Sequence, residues 1–191
     1  MEEETDKIPE ALVCYRIVEG CLSAWDIDAN KPITVNLDGA HFKSGGDDVF
    51  KGYEKFYSDH KWERIKRGNR EWQGIFEKEL DGKTYKIQVI SNSKEPDIVM
   101  HKKNGPKVVI ECKKGSQPNI KGNRELPLMR DAIGQLFLHQ DFDDKNEHYI
   151  GLPKTVAYDR LVLEHCENQT LKNLNIRFLR VDDKCKLHSD G

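Results

Sequence analysis

The chain has 191 residues, 37% hydrophobic and 34% charged, enough for one domain with its own core and too apolar for a fully disordered chain. No run of about 18 apolar residues occurs, which excludes a transmembrane helix, and the start MEEETDKIPE lacks the regions of a signal peptide, which predicts a cytoplasmic protein without a membrane partner. The formal charge of −2 excludes attraction to nucleic acid by the surface as a whole.

Taken in chain order, Leu12, Tyr15, Val18, Leu22 and Trp25 fall at helical spacing within 9–25. A polar, glycine-containing stretch follows, with one short strand at 33–37. Residues 48–66 read as a second helix, interrupted by Gly68 and Asn69. Asn69 can cap a third helix over 70–80, with Trp72, Ile75, Phe76 and Leu80 on one side. Strands are expected at 84–90, 96–102 and 107–113, the last two joined across Asn104-Gly105. Leu128, Met129, Ala132, Ile133, Leu136 and Phe137 form the stripe of a further helix. A strand at 148–152, a helix at about 156–168 and a strand at 175–181 complete the order. This order predicts an α/β fold: a mixed central β-sheet flanked by helices on both faces. Residues 1–50 read as an acidic N-terminal helical extension, 51–185 as the main domain and 186–191 as a tail.

Charge is unevenly spread. Residues 1–30 carry eight acids and two bases, 51–70 seven bases and three acids, and 101–130 eight bases and two acids. A basic surface would therefore be local, assembled from the last two segments; the same residues also read as solvated faces. Five scattered cysteines without C-x-x-C, and seven histidines without H-E-x-x-H, argue against a disulfide framework and a zinc site.

The chemistry lies on the 96–113 hairpin. Its strands are apolar on both faces, yet Asp97 begins one, and Glu111 and Lys113 end the other. Charges buried at a sheet are costly unless paired or bound to metal. Two carboxylates can hold a hard cation such as Mg²⁺ (or Mn²⁺), with the Cys112 backbone carbonyl as a further ligand. The lysine can orient or deprotonate a water, and the metal can stabilise charge on a phosphate. The plainer reading is a Lys–Glu pair beside an unrelated aspartate. Hairpin register decides whether one site can form. A two-residue Asn104-Gly105 turn would put Asp97 on the opposite face from Glu111. An odd-length loop, Asn104-Gly105-Pro106, puts Asp97, Val99, Val109, Glu111 and Lys113 on one face, and suits Pro106, which lacks an N–H. The odd loop is the expectation.

Pro96-Asp97 followed by Glu111-Cys112-Lys113 on a hairpin resembles the PD-(D/E)xK nuclease superfamily, the restriction-endonuclease-like fold. Gly68-Asn69-Arg70-Glu71 is similar to the family's G-x-x-E element. Ala132-Ile133-Gly134-Gln135-Leu136 is similar to its A-x-G-Q-L helix, and Tyr149 to Val181 resembles its closing strand–helix–strand. The resemblance spans about residues 62–182.

The resemblance implies a Mg²⁺-dependent nuclease hydrolysing phosphodiester bonds, DNA in preference to RNA, in restriction, repair, recombination or mobile-element processing. It implies Asp97 and Glu111 as metal ligands, Lys113 as water-orienting base or charge stabiliser, and Glu71 as a helical acid completing the metal shell. Helical periodicity favours Glu79 over Glu71 for that last role. Gln135 would lie near the site, or be a surface amide. Lys114, Lys121, Arg124 and Arg130 are candidate phosphate contacts. The absence of clustered cysteines after Lys113 argues against the superfamily's iron–sulfur branch. The domain could act alone, as a homodimer or within a larger assembly. A catalytically inactive nucleic-acid-binding or assembly module on the same fold is the alternative, and an unrelated α/β domain is a third.

Overall fold

The computed structural model describes residues 7–37, 43–44, 47–48, 53–92, 94–116, 125–139, 143 and 145–190. The elements run β1 (Lys7–Ile8), α1 (Glu10–Ala24), β2 (Ile33–Asn36), β3 (Lys43–Ser44), β4 (Asp47–Asp48), α2 (Tyr53–Asp59), β5 (Glu63–Arg67), β6 (Gly74–Leu80) and β7 (Lys83–Ile90). They continue with β8 (Ile98–His101), β9 (Lys107–Cys112), β10 (Gly115–Ser116), α3 (Glu125–Leu138), β11 (Glu147–Pro153), α4 (Val156–His165), α5 (Gln169–Asn173), β12 (Ile176–Val181) and β13 (Leu187–Asp190). Among the described residues a nine-stranded mixed sheet has the order β13-β12-β11-β9-β8-β2-β7-β6-β5. No helix among them is long and apolar enough to cross a membrane.

Helices cover both faces. Ile98, Met100, Val108, Ile110 and Cys112 pack in one core with α1, whereas Val109, Ile150 and Leu152 pack in a second with Met129, Ala132, Leu136 and Val162. Alternation along β9 thus feeds two cores, as a sheet covered on both sides requires. Most of α1 is buried, including Cys14, Tyr15, Ile17, Val18 and Cys21, which marks an internal helix rather than a surface one. Its close approach to the sheet explains Gly151: a Cβ there would meet Ile17 Cδ1 at 2.5 Å and Cys112 Sγ at 2.9 Å.

The segment read as an extension supplies α1 and the inner strand β2, which lies between β8 and β7. The segment read as a tail supplies β13, an edge strand antiparallel to β12.

Two expected helices are corrected. Helix 48–66 is only α2 in the described residues: Lys61 adopts a left-handed φ of 60°, and the chain then enters β5. Residues 70–80 form no helix but a turn followed by β6, paired with β7 across Asp81-Gly82, both at positive φ. Asp-Gly is a strong hairpin signal, and Ile75, Phe76 and Leu80 fit either period over so short a run. Phe76 instead stacks on Tyr57 of α2, with ring centroids 3.9 Å apart.

Candidate functional site

The β8–β9 register decides the site. Ile98 pairs with Ile110 and His101 with Lys107, leaving residues 102–106 as the loop. The loop is odd in length, so Asp97 falls opposite Glu111 and on its side of the pleat, as expected. Its closure lies two residues from the expected one, because the chain before Asn104 is engaged elsewhere. Lys102 bridges Ile27, the Lys103 N–H donates to the Asp26 carbonyl (2.8 Å), and Asn104 takes a φ of 55°.

Asp97, Glu111 and Lys113 are only 5%, 4% and 4% exposed. Such buried charges need partners, and each has one. The Cys112 N–H donates to Asp97 Oδ2 at 2.7 Å. Lys113 Nζ donates to Glu111 Oε1 at 3.1 Å and lies 3.8 Å from Asp131 of α3. His139, just beyond α3, places Nε2 3.2 Å from Glu111 Oε2.

A carboxylate that sequence reasoning missed completes the cluster. Glu10 opens α1, and its Oε2 accepts the Lys114 N–H at 3.2 Å. The pairing of β1 with β10, Ile8 opposite Gly115, fixes the start of α1 beside the end of β9. The one sequence signal for it was an acid in the first turn of a helix too apolar to lie on the surface. The role sought for Glu71 does not fall there. Glu71 is exposed in the β5–β6 turn, and its backbone carbonyl accepts from Arg64. Glu79 is exposed on β6 opposite Thr84, at the other end of that hairpin.

Electrostatics bind the four groups together. Burial, then the charges of Glu111 and Glu10, push Asp97 well above the ordinary carboxylate value, against the pull of Lys113 and the Cys112 N–H. Burial lowers the Lys113 pKa, but Glu10, Glu111 and Asp97 outweigh it and hold the ammonium above the ordinary lysine value. The His139 pKa is raised by its hydrogen bond to Glu111, against the effect of burial.

On α3, Gln135 lies one turn from Asp131, so the two share a face. Gln135 Oε1 is buried and has no hydrogen-bond partner among the described residues. Arg130 is exposed on α3, and the exposed Lys114 gives its backbone carbonyl to the Tyr158 hydroxyl (2.8 Å). Lys121 and Arg124 lie outside the described residues.

A thiol pair borders the site: Cys14, Asp97 and Cys112 place their potential ligand atoms within 4.8 Å of one another. Burial raises both thiols, Cys14 well above its ordinary value and Cys112 to about 11, so they are protonated, soft groups. A soft cation would select the two thiols, and a hard cation the oxygen donors. The chain matches no family model, no curated protein and no solved structure.

Proposed function

We propose that the protein is a metal-dependent nuclease of the PD-(D/E)xK type, hydrolysing phosphodiester bonds in DNA. The observation that carries this reading is the convergence of three buried charges, Asp97, Glu111 and Lys113, at one end of the β8–β9 hairpin. Three carboxylates, Asp97, Glu111 and Glu10, act on Lys113, and the other base of the cluster is His139, beside Glu111. Carboxylate excess around a buried ammonium is what a divalent cation would balance. In support of the reading, β11 and β12 are parallel, with α4 and α5 between them in sequence, whereas Gly68-Asn69-Arg70-Glu71 lies in a turn and not on the helix that the resemblance implies.

Asp97 and Glu111 would hold Mg²⁺ or Mn²⁺, with the Cys112 carbonyl as a further oxygen donor and Glu10 in the place first sought for Glu71. The cation supplies Lewis-acid stabilisation of charge on the phosphate. Lys113, held as an ammonium by its neighbours, orients a water or stabilises the phosphate's developing charge rather than taking a proton. His139 steers the second Glu111 oxygen. Gln135 would offer its buried carbonyl oxygen to a water or substrate group.

One observation favours the second reading, an inactive nucleic-acid-binding or assembly module: both Glu111 oxygens are already engaged, by Lys113 and His139. Calorimetry with Mn²⁺ separates the two. A nuclease site binds the ion in wild-type protein, loses it in Asp97→Ala and keeps most of it in Lys113→Ala. Absence of Mn²⁺ binding in the folded wild-type protein would leave the inactive module.

A further inference from the structure

We infer that the β5–β6 hairpin tip is a second contact point for duplex DNA, gripping phosphates about 24 Å from the Asp97–Glu111 carboxylates. This rests on the nuclease reading and adds to it a place for the substrate. β5 is the outer strand of the sheet, and all its residues are exposed. It and its turn hold Arg64, Lys66, Arg67 and Arg70 against one acid on the strand, Glu63, and one in the turn, Glu71. Arg64 is committed to the Phe76 ring and Arg70 to the Trp72 ring. Lys66 and Arg67 instead line an open pocket of about 360 Å³ with Gly68, Asn69 and Gln73.

Hydrogen bonds order the turn that follows them. The Gly68 N–H donates to the Gln73 carbonyl (2.9 Å), the Gln73 N–H to the Arg70 carbonyl (3.0 Å), and the Arg70 N–H to Gln73 Oε1 (3.1 Å). A Cβ on Gly74 would meet the Lys66 carbonyl at 2.4 Å, so this close approach requires glycine.

Strand register places the tip at the same end of the sheet as the carboxylates. Arg67 pairs with Gly74, Gly74 with Val89, and Asn36 with Ile90. The Asn36 N–H then donates to the Asp97 carbonyl at 2.7 Å. From β5 to β9 the order passes β6, β7, β2 and β8, five spacings of about 4.8 Å, or roughly 24 Å. That distance matches roughly seven base pairs at 3.4 Å each. Positive charge favours phosphate as occupant, and the same charges oppose edge pairing with a second copy.

Anisotropy titrations of labelled duplex DNA, in chelator and at several salt concentrations, test this without requiring cleavage. Lys66→Glu/Arg67→Glu should bind roughly tenfold or more weakly and lose about two phosphate contacts, roughly 1.8 log units of affinity per log of salt. Lys66→Ala/Arg67→Ala should show the same direction, in case charge reversal disturbs folding. Lys103→Glu, exposed at the opposite sheet end, should leave the slope unchanged. In wild-type protein, affinity should rise until the duplex extends about seven base pairs to one side of the scissile phosphate, then level off. Unchanged affinity and slope in folded double variants would overturn the grip while leaving plasmid nicking, and so the nuclease reading, intact. Hairpin-dependent binding by a protein that cuts no DNA would uphold the grip and sink the nuclease reading. Wild-type protein without salt-dependent DNA binding would overturn the grip.

Discussion

The Asp97 carboxylate accepts the backbone N–H of Cys112 at 2.7 Å, which ties it to the chain between Glu111 and Lys113. One hydrogen bond thus fixes the first acid against the segment that carries the second acid and the base.

That burial has a cost that titration exposes. Asp97 has a folded pKa well above its ordinary value, so the folded state holds its proton more tightly than the unfolded state. Stability from this group is full below the unfolded value and is lost as pH rises through the folded one. Asp97→Asn keeps an oxygen for the Cys112 N–H and removes the titration. In chelator, the melting temperature of Asp97→Asn should therefore gain on wild type as pH rises from about 4 to about 8. A constant difference across that range would mean that Asp97 is not destabilised by ionisation.

Glu10 and Glu71 make opposite predictions. Glu10→Gln should weaken Mn²⁺ binding and cleavage by about 10–100-fold, the range for a group that supports a metal site. Glu71→Gln should change neither by more than about twofold, since Glu71 lies in an exposed turn. Parallel calorimetry and cleavage assays check both, and equal losses would restore Glu71 to the site.

How much was legible follows from these residues. β7, β8, β9 and α3 announced themselves, because apolar runs long enough to set a period can be read locally. The common face of Asp97 and Glu111 was legible too, since parity follows from loop length and Pro106 cannot donate to a ladder. The final register was not, because Lys102 and Lys103 are held by Ile27 and Asp26, far away in sequence. Glu10 was hidden for the same reason: the Lys114 N–H that reports its position lies 104 residues away. His139 sits past the end of α3, where helical periodicity gives no guidance.

Gly151 tests the packing that aligns α1 with the site. Gly151→Ala puts a Cβ 2.5 Å from Ile17 Cδ1. Overpacking of this kind costs about 1–3 kcal/mol, and each kcal/mol lowers the melting temperature by about 2–4 °C in a domain of this size. A melting temperature equal to wild type would show that α1 can shift to make room.

His139 should act through Glu111. His139→Ala removes the 3.2 Å contact to Oε2, and cleavage should fall about tenfold or more, with far-UV circular dichroism unchanged. Unchanged cleavage would place His139 outside the working site.

The most direct test is relaxation of supercoiled plasmid by purified protein. The account predicts nicking with Mg²⁺ or Mn²⁺, arrest by chelator, and loss of all metal-dependent cleavage in Glu111→Ala and in Lys113→Ala proteins that remain folded. Cleavage that persists in folded Glu111→Ala, or survives full chelation, would contradict it.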